Sequence, residues 1–448
     1  MDLVESTNAK LVGLDTKPIP TRVVAGDNAL DDIAEVVAEE AGSGPIIILS
    51  DDAGIRHQGI DTIQVITESL QWFSPVRCVL AGLPAKADEP TLEIATSASA
   101  GHNCIVTVGS GTITDIGKVA SAATGIPLVA VQSAASVNGY ADDLAVVLRT
   151  GVKRTIPAVW PAALVIDYRL IEAAPLALNR AGVGEMMSMF TAPLDWKLAA
   201  VVGADTGFRQ EIVDLYRHPD RLWELAPGVG RAEKSALRTL TELLTVSGMA
   251  MGAVGKTAPL SGAEHAISHL IDMSSEGATG LHGAQVGVAA VIASCVWQVL
   301  LEGFNPDSLT ERHTPTDEEA GDRIEHAFAP LGAAAVEECR TAYLYKLAGW
   351  RTARSAARTS LRPFLTEAPS LMGEPAAMVA SLEACGAAAT FSGSQPEVTA
   401  ARVRWAVVNS HLMRDRFSVF DLAVFGGWDL GQLVDEAMRR ATEVGGGW

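Results

Sequence analysis

The chain has 448 residues, of which 48% are hydrophobic and 19% are charged, and its formal net charge is −19. A chain of this length can bury a large core and is expected to divide into at least two domains. The acidic balance argues against a nucleic-acid partner and against an anionic membrane surface, because both require basic patches.

The five cysteines are widely spaced and form no CxxC pair, so the sequence predicts neither a disulfide framework nor a zinc knuckle. Reduced, buried thiols in a cytoplasmic protein fit this spacing. The first residues, MDLVES, lack the basic and apolar regions of a signal peptide. We identify no long uncharged segment of the kind that spans a membrane, and we expect no membrane partner.

The first part of the chain alternates short apolar runs with amphipathic stretches. Residues 1–20 are predicted to form an arm or an edge strand, and Asp27 and Asn28 to cap a helix that begins at Ala29. Further buried strands are predicted at 46–49, 76–80, 104–108, 128–131 and 163–167, with helices at 63–70, 91–100 and 112–124. This alternation predicts a mostly parallel sheet that is covered on both faces, with the ligand at the carboxyl ends of the strands.

A hairpin follows, because residues 144–148 and 153–158 flank the turn pair Thr150 and Gly151. After Pro175 the pattern is helical to the end, and we predict no strand there.

The domain organisation follows from this change of pattern. We predict an α/β domain at residues 1–175 and an all-helical domain at 176–448. Within the second domain, residues 304–322 are polar and contain two prolines, which predicts a surface loop.

A glycine-rich turn follows the strand predicted at 104–108. Gly109 and Gly111 allow the backbone to approach a ligand closely, and the helix that begins near Thr112 offers N–H groups and the positive end of its dipole. This combination suits a pyrophosphate. An ordinary turn of small residues is the alternative, because Thr114 stands where the six-residue dinucleotide fingerprint needs its third glycine.

Histidines and one carboxylate suggest a second site. His265 and His269 are four residues apart, which places both imidazoles on one face of a helix, and His282 follows them. Together with Glu185, two imidazoles would form an open three-ligand metal site whose vacant position takes water or a substrate oxygen. Hydrogen-bonded core histidines are the alternative.

Several segments resemble the sn-glycerol-1-phosphate dehydrogenase family, including its bacterial arabinose-operon-type relatives. That family belongs to the superfamily of glycerol dehydrogenases, iron-containing alcohol dehydrogenases and 3-dehydroquinate synthases. The resemblance extends from about residue 20 to 430 and implies the dehydroquinate synthase-like fold. It also implies that the α/β domain at 1–175 binds NAD(P) and that the all-helical domain at 176–448 binds the metal and the substrate. The segments that carry it are 109–118 (GSGTITDIGK), 133–140 (SAASVNGY), 181–185 (AGVGE), 195–196 (DW), 261–265 (SGAEH), 281–287 (LHGAQVG) and 413–421 (MRDRFSVFD).

The resemblance implies metal ligands at Glu185, His265 and His282, and places His269 near the substrate as a proton relay. Zinc, nickel and ferrous iron all suit two histidines and a carboxylate, and zinc is the ion that we expect first. The residues assigned to NAD(P) are Asp51, Gly109, Ser110, Gly111, Thr112, Asp115, Lys118, Ser133 and Ser136. The candidates for the substrate are Asn138, Lys153 and Lys256, with a solvated surface position as the alternative for both lysines.

The implied reaction is a metal-dependent, NAD(P)-linked reduction of dihydroxyacetone phosphate to sn-glycerol 1-phosphate, or of a similar small phosphorylated ketone. Asp51 matches the position that holds the adenosine ribose, where an acidic group repels a 2′-phosphate and favours NAD over NADP. A turn or helix-cap residue is the alternative for Asp51. Relatives are often dimers or larger, so we expect a homo-oligomer.

Three positions depart from the family pattern. Glu185 stands where the family has Asp, although dehydroquinate synthases use Glu; Asn138 and Ala284 replace two carboxylates of the pocket. One alternative is therefore an NAD-dependent sugar-phosphate cyclase, which Glu185 favours but which would carry Lys in place of Ser188. The other alternative is a catalytically silent relative that serves as a binding protein.

Overall fold

The structure, a computed structural model, describes residues 3–57, 59–82, 85–275 and 280–448. Its strands are β1 Arg22–Gly26, β2 Ile46–Ser50, β3 Arg56–His57, β4 Ile60–Asp61, β5 Val76–Val79, β6 Cys104–Gly109, β7 Leu128–Gln132, β8 Leu144–Arg149, β9 Val152–Pro157 and β10 Ala163–Asp167. Its α-helices are α1 Leu3–Leu11, α2 Ile33–Ala41, α3 Thr62–Ser69, α4 Glu89–Ser99, α5 Gly111–Thr124, α6 Tyr168–Ala173, α7 Leu176–Met186, α8 Ala192–Val201, α9 Gln210–Tyr216, α10 Pro219–Gly230, α11 Lys234–Val254, α12 Ala263–Met273, α13 His282–Gly303, α14 Asp317–Phe328, α15 Ala333–Glu367, α16 Pro375–Cys385, α17 Ala400–Asn409, α18 Val419–Phe425 and α19 Leu430–Glu443.

Six strands form one parallel sheet in the order β1, β10, β7, β6, β2, β5. Successive side chains of a strand point to opposite faces, so β2 contributes to two cores. Ile46 and Ile48 pack in the cluster that includes α2 and α3, whereas Ile47 and Leu49 pack in the cluster that includes α4 and α5. The predicted parallel sheet with both faces covered is confirmed.

The strand order reverses beside β2. The chain proceeds from β2 to β5 on one side and then returns as β6 on the other side. Asp51 directly follows β2, and the turn at 109–111 directly follows β6. Ligands of open parallel sheets bind at such a reversal, outside the carboxyl ends of the strands.

The predicted hairpin is also present, because β8 pairs with β9 across Thr150 and Gly151. Both residues have positive φ angles, 50° and 83°, as the tight hairpin turn requires.

The N-terminal prediction was wrong. Residues 3–11 form helix α1 instead of an arm or an edge strand, because Val4, Thr7 and Leu11 recur at helical spacing and bury one face. The edge strands of the sheet are β1, which pairs with β10, and β5, which pairs with β2.

The predicted cap at Asp27 and Asn28 was also wrong. Asn28 makes no capping hydrogen bond, and the chain passes through a 3₁₀ turn before α2 begins at Ile33. The carboxylate of Asp27 instead pairs with Arg238.

The chain divides into two compact units that do not simply follow chain order. The first comprises Met1–Arg149, Lys153–Gly182 and Asp214–Thr257, and the second comprises Thr150–Val152, Val183–Val213 and Ala258–Trp448. The domain boundary at 175/176 remains a sequence prediction. In the described parts of 176–448 the structure has helices and no strand, apart from one bridge between Thr390 and Gly447, so the predicted helical texture is confirmed.

Two details of the second unit refine the sequence predictions. The loop expected at 304–322 ends early, because Thr316 and Glu319 form a capping box that starts α14 at Asp317. Helix α13 has the length and apolar composition of a membrane-spanning helix, but 78% of its most apolar 18-residue stretch is buried inside the protein. That burial accounts for its composition.

All five cysteines are free, and four of them are buried. The prediction of reduced, buried thiols without disulfides is therefore confirmed for four, with Cys78 half-buried.

Candidate metal centre and cofactor-binding turn

The cofactor-binding candidate is the turn between β6 and α5, in the first unit. Gly109 ends the strand and Gly111 begins the helix, with Ser110 between them. The side chain of Ser110 makes no capping bond, and the N–H of Thr114 is the first to bond back, to the Ser110 carbonyl at 3.1 Å. The N–H groups before Thr114 therefore lack helical partners and suit an anion.

Glycines are required here by close packing. A Cβ at Gly109 would lie 2.6 Å from Ile113 Cβ, and one at Gly111 would lie 2.6 Å from Val137 Cγ2. A Cβ at Gly117 would lie 2.3 Å from Thr107 Cγ2, which would separate α5 from β6. Gly117 thus provides the close helix–strand packing that the third fingerprint glycine usually provides. The sequence does not match the six-residue dinucleotide fingerprint, because the glycine that packs the helix against the strand is Gly117 and not residue 114.

The loop that follows β7 lies against the glycine turn. The N–H of Ser133 donates to the Gly109 carbonyl at 2.9 Å, and the N–H of Ala135 donates to the side chain of Asn179 at 2.9 Å. Ser133, Ser136 and Asn138 are all buried. Among the described residues, the side-chain nitrogen of Asn138 is buried and has no hydrogen-bond partner.

Lys118 holds this loop. Its buried ammonium donates to Asp142 and to the Leu144 carbonyl, both at 2.6 Å, and to the carbonyl of Gly139. Asp115 Oδ1 lies 3.4 Å from the same ammonium. These contacts use the three donors of Lys118, so we assign Lys118 to positioning residues 139–144 and not to direct phosphate contact.

Burial raises the pKa of Asp115 to about 7, since Lys118 offsets the lost hydration only in part and Asp142 adds repulsion. The native state therefore holds a proton between pH 4 and 7 that the unfolded chain has released. We expect the free energy of unfolding to fall as the pH rises through this range, by at most about 1.4 kcal/mol per pH unit from this group. Urea unfolding of chelated protein at pH 5, 6 and 7 should show a smaller slope for Asp115→Asn than for wild type; equal slopes would refute the shift.

Three further residues of the first unit were predicted to bind the cofactor or the substrate, and they lie in different elements. Asp51 is buried, and its carboxylate accepts the N–H of Ala53 at 3.0 Å, so it forms a turn at the carboxyl end of β2. Lys153 lies on β9, and Lys256 follows the C-terminus of α11; both are half-buried. A shared phosphate site for the two lysines remains a prediction.

The metal candidate lies wholly in the second unit and joins three helices. Glu185 is near the end of α7, His265 is on α12 and His282 begins α13. Oε1 of Glu185 is 3.5 Å from Nε2 of His265, and Oε2 is 3.9 Å from Nε2 of His282. The three potential ligand atoms lie within 4.8 Å of one another. Two ligands of a tetrahedral ion with bonds of about 2.1 Å lie about 3.4 Å apart, so the spacing approaches that of a metal site.

Glycines bring two of these helices together. A Cβ at Gly184 would lie 2.2 Å from the Gly283 carbonyl oxygen, and a Cβ at Gly287 would lie 2.8 Å from Gly184 Cα. Helices α7 and α13 therefore meet backbone to backbone, which places Glu185 beside His282. The longer Glu side chain still reaches both histidines.

Hydrogen bonds fix the tautomers of both ligand candidates. Glu264 accepts from Nδ1 of His265 at 2.9 Å and is itself held by Thr191 and the Gly262 N–H. Because Nδ1 carries the proton, Nε2 of the neutral His265 ring has a lone pair, and this lone pair faces Glu185. Such a buried carboxylate behind a histidine is typical of metal sites.

A longer chain of hydrogen bonds orients His282. Gln285 donates to Asp272 at 2.9 Å, Ser268 donates to Gln285 at 2.8 Å, and Ser268 Oγ lies 3.2 Å from Nδ1 of His282. The hydroxyl proton of Ser268 is in the hydrogen bond to Gln285, so Nδ1 of His282 must donate to the Ser268 oxygen. Its Nε2 therefore also presents a lone pair.

The electrostatics fit a cation. Burial alone would raise the pKa of Glu185, but His265 and His282 outweigh it and lower that pKa, so the group is ionised. Conversely, Glu185 and Glu264 outweigh burial and raise the pKa of His265. Among the described residues, Oε2 of Glu185 is buried without a hydrogen-bond partner. The two carboxylates thus favour positive charge at His265, and a divalent ion held by neutral His265, His282 and Glu185 would supply that charge in place of the proton.

Asp195 supports the start of α12, and His269 is a further residue on that helix. Asp195, from the Asp-Trp pair, accepts the N–H of Ala263 at 2.8 Å and that of Val419 at 3.0 Å, so it holds the start of the helix. His269 is buried beside the ligand rings, with its centroid 5.4 Å from that of His282. Nδ1 of His269 lies 2.5 Å from a guanidinium nitrogen of Arg414. Sequence reasoning missed Glu264, Ser268 and Arg414 as functional residues.

The chain is similar in sequence and in fold to known dehydrogenases and reductases. Residues 24–175 match the family model of iron-containing alcohol dehydrogenases. The chain is 33% identical over 229 residues to glycerol-1-phosphate dehydrogenase (NAD(P)+) of Halalkalibacterium halodurans, covering 49% of this chain and 57% of that protein. It is 32% identical over 288 residues to the Halorubrum lacusprofundi protein of the same name, covering 61% and 76%. Maleylacetate reductase from Rhizobium sp. shares the fold, with a TM-score of 0.57, 15% identity and coverage of 96% and 98%.

Proposed function

Because the chain belongs to the glycerol-1-phosphate dehydrogenase family and is an NAD(P)-dependent oxidoreductase of the alcohol dehydrogenase type, we propose that it reduces dihydroxyacetone phosphate to sn-glycerol 1-phosphate with a bound divalent metal. One observation carries the proposal: the Nε2 atoms of His265 and His282 converge on the buried, ionised Glu185. When both imidazoles are neutral, their two Nε2 atoms and the carboxylate are acceptors, and a divalent ion would satisfy all three.

The same residues suggest how the reaction proceeds. Glu185, His265 and His282 would hold the ion, which when bound acts as a Lewis acid on the substrate oxygen. Glu264 and Ser268 keep both imidazoles in the tautomer that ligation needs. NAD(P), whose pyrophosphate would bind at the glycine turn 109–111, supplies or accepts the hydride.

NAD is the proposed cofactor in preference to NADP. Asp51 stands at the carboxyl end of β2, next to the turn that follows β6. Its carboxylate would accept from ribose hydroxyls and would repel a 2′-phosphate. The buried Asn138 amide, which lacks a partner among the described residues, is proposed to contact the substrate or the nicotinamide.

Metal replacement tests the proposal. We expect chelated protein to lose NADH oxidation on dihydroxyacetone phosphate, and one equivalent of zinc, nickel or ferrous iron to restore it. The measurement is the decay of NADH absorbance together with metal content. The physical reason is that removal of the Lewis acid costs several kcal/mol of stabilisation of the developing oxyanion, and each 1.4 kcal/mol is about tenfold in rate.

Three other outcomes separate the alternatives. Metal and NAD binding without turnover of dihydroxyacetone phosphate would reject this substrate, and Asn138→Asp and Glu185→Asp, which restore the family carboxylates, would then be assayed. Transient NAD reduction with a sugar phosphate would indicate the cyclase. An absence of metal binding under all conditions would indicate the silent relative.

A further inference from the structure

Arg414 reaches the histidine cluster from the segment that precedes α18. One guanidinium nitrogen lies 2.5 Å from Nδ1 of His269, and the other lies 3.2 Å from Oγ of Ser261. Arg416 donates to the backbone carbonyl of the same Ser261. Arg414 is therefore held on two sides, by the start of α12 and by the ring of His269.

The chemistry of the pair decides the position of a proton. A guanidinium group has only donors and stays protonated in proteins, so Arg414 must donate and Nδ1 of His269 must accept. A neutral imidazole carries one N–H, which then has to be on Nε2. The contact between Arg414 and His269 therefore selects one of two tautomers.

We propose that Arg414 is a positioning residue that keeps His269 in the Nε2–H tautomer, so that His269 donates a hydrogen bond to the substrate oxygen and does not act as its base. This inference rests on the proposed function, because it assumes that the substrate oxygen reacts at the histidine cluster. In ketone reduction the hydride adds to the carbonyl carbon and the C=O electron pair moves to the oxygen. The Nε2–H stabilises that charge, and water supplies the proton of the product.

The rings of His265 and His282 differ from that of His269 in the position of the proton. His265 and His282 both carry the proton on Nδ1, toward Glu264 and Ser268, and present Nε2 lone pairs. His269 lies 6.3 Å and 5.4 Å from these rings, measured between centroids, but its contact with Arg414 assigns it the opposite tautomer. A nitrogen that carries a proton cannot ligate a metal. The three histidines are thus divided into two ligands and one donor.

Nitrogen NMR tests the proposal without turnover. Protein labelled with [15N]histidine and loaded with zinc gives ring shifts that separate the two tautomers, and the spectrum of His269→Gln identifies the His269 signals. We expect wild type and Arg414→Lys to show the Nε2–H pattern, because both side chains only donate. Arg414→Met should lose that pattern. An Nδ1–H pattern in wild type, or an unchanged pattern in Arg414→Met, would overturn the proposal.

Kinetics supply a second reading with dihydroxyacetone phosphate and NADH. We expect Arg414→Met to lower kcat by about 10- to 100-fold while KM changes little, as is usual for residues that orient catalytic groups. Arg414→Lys should recover part of the loss. A higher KM at unchanged kcat would instead make Arg414 a phosphate-binding residue and contradict the proposal.

Arg404→Met, which breaks an exposed pair with Asp435, is the control and should change neither the NMR pattern of His269 nor the kinetic constants. If wild type turns over no substrate, the NMR result still stands and only the proposed function fails.

Discussion

We expect His265→Ala to lower turnover by at least about 10³-fold and to leave less than one tenth of the metal bound. His265 is the middle ligand of the cluster: Nε2 faces Glu185, and Nδ1 donates to Glu264. Its loss removes one of three ligands and leaves two buried carboxylates without their shared partner. The rate figure corresponds to several kcal/mol of lost transition-state stabilisation, which is the scale of Lewis-acid catalysis.

The measurements are metal content after dialysis and NADH oxidation with saturating substrate. Chelated wild type should behave like His265→Ala, because both lack the ion. His326→Ala is a matched control, since His326 lies exposed on α14 of the same unit. Binding of NAD should persist in His265→Ala, because the glycine turn belongs to the other unit. Metal content equal to that of wild type would show that His265 is not a ligand.

The elements that carry the two sites could be predicted from the sequence because local patterns determine them. Cys104–Gly109 is apolar along almost its whole length, as a strand buried on both faces must be, and it ends at glycines. His265 and His269 are four residues apart, so any helix through them aligns their rings. The general rule for parallel strands predicts the ligand at their carboxyl ends, where Asp51 and the glycine turn lie.

The partners of these residues could not be predicted, because tertiary packing selects them. Lys118 was expected near the cofactor phosphates, but its donors go to residues 139–144. Arg414 contacts a histidine 145 residues earlier in the chain, which no local pattern encodes. One signal was available: Glu264, Ser268 and Asp272 recur every four residues and form a buried polar stripe beside the histidines. Polar residues in that pattern indicate groups that orient a site.

The error at the N-terminus has a related cause. In residues 3–11 the buried positions Val4, Thr7 and Leu11 include only two apolar side chains, so the helical pattern is weak by itself. Contacts with the rest of the unit decide the conformation. The side chain of Asn8 exchanges two hydrogen bonds of 3.0 Å with the backbone of Ile19, which fixes α1 against the chain that follows.

The second large effect is expected from Gly184→Ala. The added Cβ would lie 2.2 Å from the carbonyl oxygen of Gly283, which is backbone and cannot turn away as a side chain can. Helices α7 and α13 would have to separate, and Glu185 and His282 would separate with them. We expect the free energy of unfolding to fall by about 3 kcal/mol, the upper range for overpacking, and metal affinity to fall at least about 100-fold.

Gly349→Ala is the matched control, because it makes the same substitution on a helix of the same unit. Gly349 is exposed on α15, and a Cβ there would have no atom within 4 Å other than those of its chain neighbours and of the surrounding helix backbone. Replacing an exposed helical glycine by alanine should stabilise the fold by about 0.5–1 kcal/mol. Urea unfolding and zinc titration of both variants measure the two effects. Opposite signs would show that Gly184 is needed for the close approach of α7 and α13, whereas a stable Gly184→Ala variant with unchanged zinc affinity would show that the helices can move apart without loss of the metal site.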